Sequence, residues 1–124
     1  MMDARQAALK LFYSRPDDAV RILSVSQSGE AMTIELAGEI RHDFSAQLME
    51  WILHHHRQGQ GRLKSLILNF RKILFLDSQG LALLFTLHKT LAQHDCALSV
   101  HQPAPHIIGL FELTRLGDHI EIVK

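Results

Sequence analysis

A chain of 124 residues, 47% hydrophobic and 21% charged, is long enough to bury one core and short enough to be one domain. Its 13 basic and 13 acidic residues cancel and form no long basic block, so charge gives no case for a nucleic-acid partner. The single Cys96 excludes an internal disulfide, and no apolar run approaches the roughly 18 residues that cross a bilayer. With no apolar core of a secretory signal near the start, the expected location is the cytoplasm.

Along the chain, Ala4, Ala7, Ala8, Leu11 and Phe12 recur on one side of a helix over residues 3–14, which Pro16 ends. Residues 1–19 read as an N-terminal helical extension. It serves as an added packing helix or as a contact with a partner or a second copy, which would make a homodimer. Val20–Val25 and Met32–Leu36 read as strands joined by the polar turn Ser26-Gln27-Ser28-Gly29-Glu30. Met32, Ile34 and Leu36 share one face of the second strand, with Thr33 and Glu35 on the other. A helix follows, with Asp43 as its N-cap and Phe44, Leu48, Trp51, Ile52 and His55 as its apolar stripe; Gly59 and Gly61 stop it. The run His54-His55-His56 suggests a metal. Successive helical side chains diverge by about 100°, so three in a row cannot meet at one ion, and no metal or other cofactor is expected.

The centre of the chain is Leu63 to Leu91. Leu66-Ile67-Leu68 is a continuous apolar run, as in a strand covered on both faces. Arg71 to Leu76 reads as a short connection, and Asp77-Ser78-Gln79-Gly80 as a turn into a helix running from about Gly80 to Gln93. Asp77 or Ser78 can cap that helix, and Gly80 lets backbone or a ligand come close. A hydroxyl there lies at the positive end of the helix dipole. On a wheel centred at Leu81, the core face holds Leu84, Phe85, His88, Leu91 and Ala92, which turns Leu83 and Leu87 toward solvent as a candidate docking patch. Ala97–Val100 is a further strand, reached by a right-handed crossover. Pro103 and Pro105 open the next helix, with Ile107, Ile108, Leu110, Phe111 and Leu113 as its apolar surface and Gly117 as its end. His119–Val123 closes the chain as a short strand.

Leu68-Asn69-Phe70 and Ile73 to Leu84, with Asp77-Ser78-Gln79-Gly80-Leu81 at the helix start, resemble the signature of the STAS domain, the family of the bacterial anti-sigma factor antagonists. The element order from about Val20 to Val123 matches it as well. The resemblance implies an α/β fold: a mixed sheet of four to five strands with helices mainly on one face, here with the extra N-terminal helix, over a domain at 20–124. It also implies that Ser78 accepts phosphate from a partner kinase. Asp77, Gln79 and Gly80 then form the motif at the helix start, and Gln79 stands where the family has a second hydroxyl residue. The stretch holding Arg41, His42 and Asp43 corresponds to a turn near the phosphoacceptor that contacts the partner. The implied function is antagonism of an anti-sigma factor: the unphosphorylated form binds that serine kinase and frees a sigma factor, phosphorylation ends binding, and a phosphatase restores it. The same motif resembles STAS accessory subunits of lipid-transport ATP-binding cassette complexes, which need not be phosphorylated; a scaffold in a larger signalling assembly is a third reading. Catalysis is not expected: Ser78 follows Leu76-Asp77, not the Gly-x of a nucleophile elbow.

Overall fold

The computed structural model describes residues 20–41, 49–50, 52–54 and 63–124. Five strands form one sheet in the order β1-β2-β3-β4-β5: β1 Val20–Ser28, β2 Ala31–Ile40, β3 Ser65–Leu76, β4 Ala97–His101 and β5 Glu121–Val123. β1 pairs antiparallel with β2, and the other neighbours run parallel. Two helices, α1 Ser78–Ala92 and α2 Pro105–Thr114, follow β3 and β4, and a 3-10 turn at Leu116–Asp118 precedes β5. The mixed α/β sheet and the parallel crossover from β3 through α1 to β4 agree with the sequence reading. The extension at 1–19, and its helix at 3–14, lie outside the described residues.

Local chemistry accounts for the connections. The β1–β2 hairpin turns on Gly29 and Glu30, and Gly29 takes a φ of +59°. That is the first central position of a two-residue hairpin, where glycine is favoured. Met32, Ile34 and Leu36 on β2 are buried together with Leu66, Leu68 and Phe70 on β3, because alternate residues of a strand share a face. Leu84, Leu87 and Leu91 of α1 and Ile107 and Phe111 of α2 join the same cluster, with the Phe70 and Phe111 rings 6.3 Å apart. Thr33, Glu35, Ile67 and Asn69 lie on the other face and are half-buried. The run Leu66–Leu68 is therefore fully covered on one face only. Buried Ile52 and half-buried Met49 and Leu53 carry the helical residues 49–50 and 52–54 onto the core. The remainder of that helix, including Asp43, Phe44, Leu48, Trp51 and His55, lies outside the described residues.

Two expectations are corrected. First, Arg71–Leu76 is no connection but the second half of β3, which pairs with β2 along its whole length. The pairing slips twice. β2 advances from Glu35 to Ala37 while β3 advances from Asn69 to Lys72, and from Gly38 to Glu39 while β3 advances from Ile73 to Phe75. Each slip gives β3 one extra residue, a bulge of a kind rare between parallel strands. The burial pattern breaks at the same places: Phe70, Ile73 and Leu76 point inward, whereas Arg71 with Lys72, and Leu74 with Phe75, stand exposed as neighbours. A broken alternation reads in sequence as loop. Second, the buried residues of α1 are Gly80, Leu83, Leu84, Leu87 and Leu91. Leu83 is 4% and Leu87 0% exposed, so neither can dock a partner. Ala92 is exposed, and Phe85 and His88 are half-buried against His119. The helix is turned from the expected phase because Gly80 faces the sheet, and a glycine carries no hydropathy to reveal it.

Candidate functional site

α1 begins at the C-terminal end of β3, beside the end of β2. In open α/β sheets this carboxyl edge is where ligands and partners are usually met. Ile40 and Leu76 are partners across the two strand ends. The Asp77 amide donates to the Ile40 carbonyl at 3.2 Å, which ties the start of α1 to the last residue of β2. Asp77 is the N-cap: its backbone is extended, with φ −89° and ψ −178°, and its Oδ1 accepts from the Gly80 amide at 2.8 Å. The sequence left Asp77 or Ser78 as the cap; Asp77 takes that place, which leaves the Ser78 hydroxyl uncommitted to capping.

Gly80 sits against Ile40. A Cβ built there would lie 2.6 Å from Leu76 Cδ1 and 2.7 Å from the Ile40 carbonyl oxygen. Only a residue without a side chain lets the first turn come this close. With Gly80 against the sheet, Leu84, Leu87 and Leu91 fall within about 40° of it on a helical wheel, and Ser78 falls about 160° away. Ser78 and Gln79 are accordingly exposed. The hydroxyl of Ser78 therefore stands in the open, in the first turn of a 15-residue helix whose dipole is positive at that end.

The surroundings are charged and, in one place, apolar. Arg41, directly after β2, is exposed and pairs with Glu39. Arg71 and Lys72 both reach Glu35, at 3.2 and 3.8 Å. Leu74 is 69% and Phe75 44% exposed, and Phe75 lies opposite Glu39 in the sheet. His106 Nε2 donates to the Leu74 carbonyl at 2.8 Å, a bond that covers part of the β3 edge beyond β4. The exposed pair Leu74-Phe75 is the feature that the sequence reading missed. Its signal was present as two consecutive apolar residues flanked by Ile73 and Leu76, out of step with a period of two.

Of the expected site residues, Asp77, Ser78, Gln79, Gly80 and Arg41 come together at this corner. Leu83 and Leu87 do not; they face the core. His42 and Asp43 lie outside the described residues, as do His55 and His56. Among the described residues no three His, Cys, Asp or Glu side chains are grouped to hold a metal ion, and no helix is long and apolar enough to cross a membrane. Cys96 is away from this corner, buried at the turn between α1 and β4; burial pushes its thiol pKa up, with Lys64 opposing.

Comparison with known proteins places this geometry. An anti-sigma factor antagonist from Mycobacterium paratuberculosis is similar at 20% identity over 87% of each chain, with a TM-score of 0.72. The antagonist SpoIIAA in its unphosphorylated form is similar at 24% identity over 82% of this chain and 87% of that one, with a TM-score of 0.68. The Bacillus cell fate determinant SpoIIAA in its phosphorylated form is similar at 24% identity over 82% of this chain and 90% of that one, with a TM-score of 0.62. At these identities the likeness shows the fold. No curated protein matches the chain. A family model described as "Mlab, STAS domain" matches residues 23–124, nearly all of the sequence after the first strand begins. The chain belongs to that family: it is a STAS domain.

Proposed function

We propose that this STAS domain is an anti-sigma factor antagonist controlled at Ser78. The observation that carries the proposal is the exposed Ser78 hydroxyl at the start of α1, held outward by the Asp77 cap and the close seat of Gly80. The unmodified hydroxyl is small and neutral, so the surface of an anti-sigma factor of the serine-kinase type can close over it. A phosphate there brings about 1.5 to 2 negative charges and three strong acceptors. The helix start accommodates that charge, whereas burying it under a fitted partner is costly. One modification then removes binding without unfolding the domain, and a phosphatase restores it. The work is binding rather than catalysis, and its place is the cytoplasm.

The apolar anchor of this contact is Leu74 with Phe75, in place of Leu83 and Leu87. Aromatic side chains with a polar surround are frequent centres of partner surfaces. Arg41 stands at the same corner, and His42 and Asp43 extend the proposed contact.

The test is binding of the full chain to the anti-sigma factor kinases of its own organism. Ser78→Ala should bind the cognate kinase as the unmodified protein does. Ser78→Asp should lose at least about a hundredfold in affinity, a difference of about 2.8 kcal/mol. Incubation with that kinase and ATP should add one phosphate at Ser78, read by mass spectrometry. Equal binding by the two variants defeats the switch.

The family's description, which names Mlab and not an antagonist, favours a second reading. Here the same corner docks on the ATPase subunit of a lipid-transport ATP-binding cassette complex, with Ser78 unmodified. Gln79 in place of a second hydroxyl suits this reading too. Co-purification separates them: a kinase partner supports the first, a transport ATPase the second.

A further inference from the structure

Arg41 and Ser78 end up as neighbours through the sheet, not through the sequence. The Asp77 amide on the Ile40 carbonyl sets the end of β2 beside the start of α1. Each residue one step further on, Arg41 and Ser78, leaves this junction on adjoining paths. Neighbouring strands lie about 4.8 Å apart and consecutive Cα atoms about 3.8 Å apart, so their Cα atoms are within about 10 Å. That is inside the combined reach of an arginine and a phosphoserine side chain.

Arg41 is at present engaged by Glu39, two residues back on the same side of the chain. Both side chains are partly in water, 50% and 34% exposed, and such a pair contributes little to stability. A phosphate on Ser78 is a stronger claimant. It carries up to twice the charge of a carboxylate, and its oxygens match the planar guanidinium in a two-pronged contact. We propose that Arg41 is the receptor for phosphate on Ser78, and that modification draws its guanidinium away from Glu39. This rests on the reading of Ser78 as the phosphoacceptor and adds how the domain responds.

The exchange alters two charges at once. The phosphate arrives, half compensated by Arg41, and the Glu39 carboxylate is left without its cation beside Phe75, its partner across β2 and β3. The surface that receives the kinase changes from a balanced ion pair next to an apolar side chain to a free carboxylate next to it. Phosphorylation thus acts on the partner surface as a whole, not only at the hydroxyl.

The test needs no partner. Phosphoserine is installed at position 78 of the full chain during translation, and the phosphate is titrated by 31P NMR at low salt. An unperturbed phosphoserine loses its second proton near pH 6. Asp77 and Glu39 push that value up, and Arg41 and the helix start pull it down. Arg41→Gln should raise the second pKa by about half a unit or more relative to the phosphorylated parent. Lys72→Gln, which removes an exposed cation held by Glu35 on the same face of β3, should leave it within about a tenth of a unit. Equal pKa values for the parent and Arg41→Gln overturn the proposal. So does a shift from Lys72→Gln as large as that from Arg41→Gln, because it would show only a general field. Both residues are exposed, and matching thermal midpoints check that the variants fold. The phosphate is installed and not transferred, so a kinase that ignores Ser78 would defeat the functional reading while leaving this measurement to stand or fall by itself.

Discussion

Gly80 determines where Ser78 points. A methyl group at Gly80 would lie 2.7 Å from the carbonyl oxygen of Ile40, a backbone atom that cannot step aside alone. α1 would have to lift from the sheet or rotate. Gly80→Ala should therefore destabilise the domain by about 1–3 kcal/mol, the range for overfilling a packed site, and urea unfolding measures it. An alanine gain would show that the first turn has slack. The sequence disclosed the chemistry of this corner because Asp77-Ser78-Gln79-Gly80 is contiguous: cap, hydroxyl and close-approach glycine follow from residue type. It did not disclose that Ile40 is what Gly80 touches, a contact made across forty residues. The place of Arg41 beside Ser78 depends on the same long-range contact.

For single elements, periodicity was a sound guide where it was undisturbed and misled where it was not. β2 reads in sequence as it folds, since Met32, Ile34 and Leu36 alternate cleanly and are buried. α1 was read as a helix, but its phase was set on Leu81 because the apolar residues run almost all the way round. The contact that fixes the phase is Gly80. The two kinds of leucine on this part of the chain should then behave oppositely. Leu87→Ala, at a fully buried position, should cost about 2–5 kcal/mol in urea unfolding. Phe75→Ser, at an exposed one, should leave the unfolding midpoint nearly unchanged while weakening binding of the cognate partner at least about tenfold, some 1.4 kcal/mol. A large stability loss from Phe75→Ser would mean that its ring packs on the domain and anchors nothing else.

For the whole molecule, the strand order fixes a gradient of stability. β2 and β3 lie inside the sheet and share its longest ladder, whereas β5 has three residues and pairs only with β4. Local opening follows such differences. Amide exchange should be slowest at Met32–Leu36 and Leu66–Phe70 and fast at Glu121–Val123, as read by NMR. Equal protection of β5 would mean that its outer edge is covered in solution. The family match over residues 23–124 and the five-strand sheet describe the same unit, so this gradient belongs to the STAS domain itself.

The doubled outward pairs of β3 have one more consequence. In an ordinary strand, loss of a single residue would turn every later side chain inside out. Here each offset already stores a spare position, so removing Leu74 or Arg71 would bring the ladder back into step and keep Ile73, Leu76 and the helix beyond them in phase with the core. The exterior of this corner can thus be rewritten by a change in chain length as readily as by a change of residue, with the interior left undisturbed.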